Sequence, residues 1–271
     1  MEFPRALKDS IQPLEVIEFY GKGLHSGEPT RISIVPSNIK SGIRFVRHDG
    51  NLATIVNPSL CSVSNTMLTT EISNSGQKIV TIEHLMAALM GLQVRGVTVN
   101  VYGSEVPIFD GSSEEWIDKI LDSKLAVGHG LLPVKRIDKP VIFESGSSVY
   151  EFLPHKEDEL LIECRYRPFD DGMYEQTYSY FHSPENFSLE IASAKTFCFA
   201  RDVEKLRSMG KIKGGSTDNA IVLDGGRAVN ENFELEGTEL ARHKILDFIG
   251  DMGLLGFYPQ GKVRLLNPNH T

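Results

Sequence analysis

Twice along its 271 residues the chain passes through several short strand-like runs before it reaches a helix of one distinctive kind. That helix has a histidine in its early part, a glycine near its exit and a valine-bearing strand behind it. In the first half, runs at 31–35, 42–46 and 97–102 are rich in Val, Ile and Phe and bounded by Gly, Pro, Ser or Asn, the marks of strands. Between them, 82–92 reads Ile-Glu-His-Leu-Met-Ala-Ala-Leu-Met-Gly-Leu, a run of strong helix formers with Thr81 placed as its N-cap. A second helix is predicted at 114–121, with Trp116, Ile117, Ile120 and Leu121 facing inward. In the second half, 141–144, 160–166, 220–223 and 262–266 predict strands, and 201–209 and 239–255 predict helices. Because several strands precede each helix, the pattern predicts a duplicated α+β unit rather than alternating parallel βαβ units. The two units are read as 1–128 and 133–271, since Gly128, His129, Gly130 and Pro133 interrupt any regular pattern between them. Two such units facing each other make a cleft, where ligand sites often lie.

Composition removes other classes. At 41% hydrophobic and 24% charged residues, the chain has neither the polarity of a disordered protein nor the apolar runs of a membrane protein. Its 28 basic and 36 acidic side chains leave a net charge of −8, which argues against gripping a nucleic-acid backbone but permits a local basic pocket for a small anion. Cys61, Cys164 and Cys198 are odd in number and far apart, and read as free thiols of a reducing compartment. No basic run followed by an apolar stretch opens the chain, so the cytosol is the expected location.

The strongest local signal is Arg-His-Lys-Ile-Leu-Asp-Phe-Ile-Gly-Asp, 242–251. On a helix, His243, Asp247 and Asp251 are each four apart and share one face. An imidazole and a carboxylate at that spacing can hold one zinc ion, although an ordinary i,i+4 ion pair uses the same spacing, and a catalytic site needs a third ligand. Thr-Ile-Glu-His, 81–84, offers it: His84 would complete two histidines and an aspartate, with Glu83 beside them as a hydrolytic base. The bland alternative is that Glu83 merely favours the positive end of its own helix. His270, in Asn-Pro-Asn-His, is placed to reach back over the cleft and protonate a leaving amine, or else is a frayed tail residue. His25, in Gly-Leu-His-Ser-Gly, and Gly214-Gly215-Ser216 are weaker signals, and neither stretch is a phosphate-binding Walker loop.

Taken in order, seven segments resemble the UDP-3-O-acyl-N-acetylglucosamine deacetylase family of lipid A biosynthesis. They are Gly-Leu-His-Ser-Gly (23–27), Asn-Thr-Met-Leu-Thr (65–69), Thr-Ile-Glu-His-Leu (81–85), Val-Pro-Ile-Phe-Asp-Gly-Ser (106–112), Ala-Lys-Thr-Phe-Cys-Phe (194–199), Gly-Gly-Ser (214–216) and the 242–251 run. The resemblance covers nearly the whole chain. It implies two β-α-α-β sandwich domains with their helix layers facing each other and the active site between them. It further implies that His84, His243 and Asp247 bind Zn2+, with Fe2+ an alternative in the cell, and that Glu83 is the general base. By the same analogy His270 is the cationic partner or general acid, Asp251 orients it, and Thr196 donates to the developing oxyanion. Lys244 and Asp202 would lie near the diphosphate and sugar, with Thr69 and Phe197 also substrate-binding. Ala200, Val203, Ile212 and Val222 match an apolar passage for the acyl chain, though each also fits an ordinary core position.

The resemblance implies an acylated UDP-sugar as substrate, no nucleic-acid partner, no stable membrane insertion and a monomer. The sequence departs from it at Asn267-Pro268-Asn269, where many members have a lysine and a glycine, and at Thr217, often larger and apolar in the family. Members also continue into a further helix where this sequence stops after Thr271. A non-catalytic relative that binds a sugar nucleotide or acylated sugar, and an amidase for another acetamido sugar, are the alternative functions.

Overall fold

The computed structural model describes residues 10–37, 42–127, 133–168, 173–231, 233–235 and 237–270. The interruption at 128–132 lies outside the described residues.

The first half builds a five-stranded sheet from β1 (Ile17–Lys22), β2 (Pro29–Pro36), β3 (Ile43–Asp49), β4 (Leu52–Val56) and β5 (Val97–Tyr102). The last strand lies in the middle of the order β1-β2-β5-β3-β4, antiparallel to β2 and parallel to β3. In β5, Val97, Val99 and Val101 are fully buried while Thr98 and Asn100 on the other face are not, the period of two that fixes its register. Helix α1 (Glu83–Gly91) precedes β5, and α2 (Glu114–Asp122) follows it.

The second half repeats the same plan. Its sheet is formed by β6 (Val141–Ser145), β7 (Ser148–Leu153), β8 (Leu160–Tyr166), β9 (Gln176–Phe181) and β10 (Tyr258–Leu266) in the order β6-β7-β10-β8-β9. Again the last strand is central, antiparallel to β7 and parallel to β8. Val134–Arg136 adds a short parallel pairing at the start of β10. Helices α3 (Ala200–Ser208) and α4 (Glu239–Met252) precede β10. Phe197–Phe199, Ile221–Asp224 and Arg227–Ala228 make a small separate sheet beside α3.

Every residue of α1 is buried, so this helix has no solvent face and is held by packing on all sides. Truncating any one of Leu85, Met86, Leu89 or Met90 to alanine is expected to cost about 2–5 kcal/mol. Helix α1 packs against α4, and α4 against β8 and β9, so one continuous core runs through both halves. Gly250 sets how closely the helices approach: a Cβ there would stand 2.1 Å from the Glu83 carbonyl oxygen. Thr81 is not the helix cap. It sits at φ 60°, its hydroxyl donates to Glu105 at 2.9 Å, and Ile82 takes the cap position. The Glu105 carboxylate also accepts the backbone N–H groups of His25 and Ser26, which pins the Gly-Leu-His-Ser-Gly loop to the start of α1.

Candidate active site

The contact between α1 and α4 brings together side chains that are 159 or more positions apart in sequence. His84 Nε2 and His243 Nε2 stand 3.6 and 3.4 Å from Asp247 Oδ1. Three donors each about 2.0–2.1 Å from one tetrahedral ion are separated by roughly 3.3–3.4 Å, so this spacing suits a single small cation. Among the described residues, these three form the one group of His, Cys, Asp or Glu so clustered.

The electrostatics point the same way. His243 Nδ1 lies 3.0 Å from the Ala194 carbonyl, which can only accept, so Nδ1 carries the proton and Nε2 presents its lone pair to the cluster. Burial, reinforced by His243, pulls the His84 pKa down to about 3, and burial lowers that of His243 as well. Both rings are therefore neutral at neutral pH, the ligand form. Burial alone would raise the Asp247 pKa, but His243, Lys244 and His270 more than offset it and hold the carboxylate well below its ordinary range. Its buried Oδ1 has no hydrogen-bond partner, although the His243 lone pair, the His84 imidazole and an ionised oxygen converge there. A cation satisfies all three at once.

Glu83, one residue before His84, is held on its other side. The Thr69 hydroxyl lies 3.0 and 3.1 Å from its two oxygens, and the Thr70 N–H donates at 3.0 Å. Burial is the main cause that raises its pKa to about 7; His270 opposes the rise, and Asp251 and Asp247 add to it. Thr69 is 1% exposed, and its hydroxyl anchors the Glu83 carboxylate.

His270 returns over the site as the loop after β10 folds back. Its Nδ1 pairs with Asp251 Oδ2 at 2.8 Å, and its Nε2 lies 3.8 Å from Asp247 Oδ2. Burial would lower its pKa, but Asp251 and then Asp247 outweigh that and raise it to about 9. Three residues that gave no sequence signal place this loop. Thr70 donates to Asp251 at 2.5 Å, Ser148 donates to the Asn267 carbonyl at 2.6 Å, and the Tyr150 hydroxyl donates to the Asn269 carbonyl at 2.5 Å. Lys244 Nζ bonds Asp247 Oδ2 at 3.0 Å, and that carboxylate raises the lysine pKa against the effect of burial.

Two cavities open beside this cluster. The larger, about 450 Å³, has Lys244, Asp247, Asp251 and His270 at its polar end and Phe143, Phe152, Phe248 and Leu255 among its apolar walls. The smaller, about 220 Å³, is lined by Thr196, Phe197, Val203, Leu206, Ile212 and Val222, and extends to His25 and Leu68. Phe197 joins it to the His84, His243 and Asp247 cluster: its ring meets that of His243 edge-on at 6.0 Å, and Lys244 Nζ lies 5.3 Å from its centre. Thr196 is fixed by its N–H to the Gly111 carbonyl and by its carbonyl to the Ile221 N–H, both 2.8 Å. Of the passage residues read from the sequence, Val203, Ile212 and Val222 line this cavity, and Ala200 stands one turn before Val203 at the first position of α3. Asp202, in the same turn, lines neither cavity.

An α+β fold with a buried two-histidine, one-aspartate cluster and an adjoining glutamate defines the architecture of a metallohydrolase-type site. The family model for UDP-3-O-acyl N-acetylglycosamine deacetylase (LpxC) matches residues 14–271, and the chain belongs to that family. It is 37% identical over 252 residues to the UDP-3-O-acyl-N-acetylglucosamine deacetylase of Oleidesulfovibrio alaskensis, covering 93% of this chain and 82% of the relative. The protein of the same name from Legionella pneumophila (strain Corby) is 37% identical over 246 residues, 90% of this chain and 80% of the relative. That of Chromohalobacter salexigens is 35% identical over 269 residues, 98% and 86%.

Proposed function

We propose that this protein hydrolyses the N-acetyl group of a UDP-3-O-acyl-N-acetylglucosamine, releasing acetate, in lipid A biosynthesis. Family membership supports the reaction, and the observation that carries it to this chain is the convergence of His84, His243 and Asp247 beside Glu83. His84, His243 and Asp247 would hold the ion, and their nitrogen and oxygen donors suit zinc, with ferrous iron an alternative because such sites discriminate weakly. When bound, the ion supplies Lewis-acid polarisation of a carbonyl and acidifies water.

Glu83 takes the proton of the attacking water as the new C–O bond forms. A pKa near 7 suits that exchange, since the group must both accept the proton and release it. Thr196 donates to the oxyanion that develops on the acetamide carbonyl. As the C–N bond breaks, His270, kept protonated by Asp251, gives the leaving nitrogen its proton, so acetate and a free amine result. Lys244 faces the diphosphate, and Val203, Ile212 and Val222 receive the acyl chain. Asp202 is read as a contact to the sugar nucleotide from the rim of α3. We also read the chain as two duplicated units meeting at 128–133, a reading supported by the identical strand order and directions of the two sheets.

Metal analysis together with a deacetylation assay on acylated and unacylated UDP-N-acetylglucosamine tests the proposal. One equivalent of metal and acetate release that a chelator abolishes are expected. Tight binding of the sugar nucleotide by metal-loaded protein without acetate release favours the binding-only reading.

A further inference from the structure

Around α3 the local charge opposes that of the chain as a whole. From 201 to 213 stand Arg201, Lys205, Arg207, Lys211 and Lys213 against Asp202 and Glu204, a local excess of positive charge in a chain of net −8. Lys205, Arg207 and Lys213 are exposed. The same segment borders the smaller cavity, to which Val203, Leu206 and Ile212 contribute. Large apolar side chains of the same segment and of the Leu68 turn face water: Met209 at the end of α3 is 50% exposed, and Met67 and Leu68 are 55% and 47% exposed. Leu68 and the exposed Arg207 both line the cavity, so an apolar tip and a cation stand at one opening, with Met67, Lys205 and Met209 close to them in the chain.

Cations interleaved with exposed apolar tips are what an anionic bilayer attracts, with the tips entering the headgroup boundary and the cations meeting phosphate. None of the described helices is long and apolar enough to cross a membrane, so the contact at issue is adsorption. We propose that this rim is a docking surface for an anionic lipid bilayer and sets the mouth of the smaller cavity at the membrane interface. Entry of an acylated substrate there rests on the proposed function; the docking does not.

The test is co-sedimentation of the full chain with vesicles of phosphatidylcholine alone, or with about one-third phosphatidylglycerol, at low and high salt. Partition onto the anionic vesicles is expected to exceed that onto neutral ones by at least about tenfold and to collapse at high salt. Lys205→Glu combined with Lys213→Glu lowers it by about 25-fold or more, at roughly fivefold per lost cation, and Met209→Ser by a few-fold. Equal partition onto both vesicles, or partition unmoved by the charge reversals, overturns the proposal. The double reversal is further expected to leave turnover of a short-acyl soluble substrate unchanged while slowing that of a long-chain substrate presented on anionic vesicles. An equal rise in KM for both assigns the cations to steering the nucleotide and also overturns it. Vesicle binding without any deacetylation by the parent protein counts against the proposed function and leaves the docking surface standing.

Discussion

The two halves share a sheet plan and differ in how they furnish the site. The first contributes Glu83 and His84 from the opening turn of a helix with no exposed residue, fixed mainly by packing, with Thr69 and Thr70 holding the Glu83 carboxylate. The second contributes His243, Asp247 and Asp251 along three turns of α4, and His270 from a loop that hydrogen bonds hold in place. One half is positioned chiefly by packing and the other chiefly by charge and hydrogen bonds, so damage to each should register differently.

The largest effects fall on the residues that meet between the halves. His84→Ala and His243→Ala should each empty the metal site and cut kcat/KM by roughly 10³-fold or more, with bound metal measured alongside rate. Glu83→Gln separates the roles: kcat falls by roughly 10²–10⁴-fold with metal content kept, and loss of the metal instead would make Glu83 a structural residue. Chelation should reproduce the histidine phenotype, and added zinc should reverse it.

Gly250→Ala probes the steric half. Its new Cβ meets backbone at Glu83, which cannot swing aside, so a loss of at least about 1–3 kcal/mol in thermal unfolding and weaker metal binding are expected. At Gly91 the nearest atoms to a new Cβ belong to the Phe187 ring, at 2.4 Å, a side chain rather than backbone, so Gly91→Ala should cost less. Comparable losses would remove the distinction between backbone and side-chain neighbours.

The electrostatic half is probed by pH. In the metal-free protein the His270 imidazole should titrate near pH 9, and Asp251→Asn should lower that value, as imidazole NMR shifts would report. Because its folded pKa is raised above the unfolded 6.5, its contribution to stability is complete below pH 6.5 and lost as pH rises through about 9. His182 has the opposite sign. Burial, reinforced by Arg95, lowers its pKa to about 3, so the unfolded chain binds the extra proton and stability falls as pH drops from about 6.5 towards 3.

The smallest effects concern support of the loop and the passage. Tyr150→Phe should lower kcat several-fold with metal unchanged, since a hydrogen bond of about 0.5–1.5 kcal/mol tethers the loop. Val203→Ala should raise KM for the acylated substrate a few-fold while Ala200→Gly leaves it unmoved, because only Val203 borders the cavity.

Much of this was legible in the sequence because it is local. Four-residue spacing put His243, Asp247 and Asp251 on one face of α4, and a run of Leu, Met and Ala marked α1. Strands β1, β4, β7 and β9 carry no clear signal in the sequence, since half-exposed edge or hairpin strands have mixed polarity and little apolar periodicity. Thr81 has the sequence signature of a cap because a threonine before a helix looks alike whether its hydroxyl turns to the helix or, as here, to Glu105. Thr70, Ser148 and Tyr150 had no signal at all, for their partners lie 181, 119 and 119 residues away.

By itself, then, the sequence determined the α+β class, the two motif-bearing helices and the residue types that can hold a metal, because helix periodicity and side-chain chemistry act over a few residues. Tertiary structure alone decided that His84 meets His243 and Asp247, that Gly250 lets Glu83 come so close, and that His270 pairs with Asp251. Those outcomes depend on burial and on charges brought near across the fold, and neither exists until the two sheets have closed over α1 and α4.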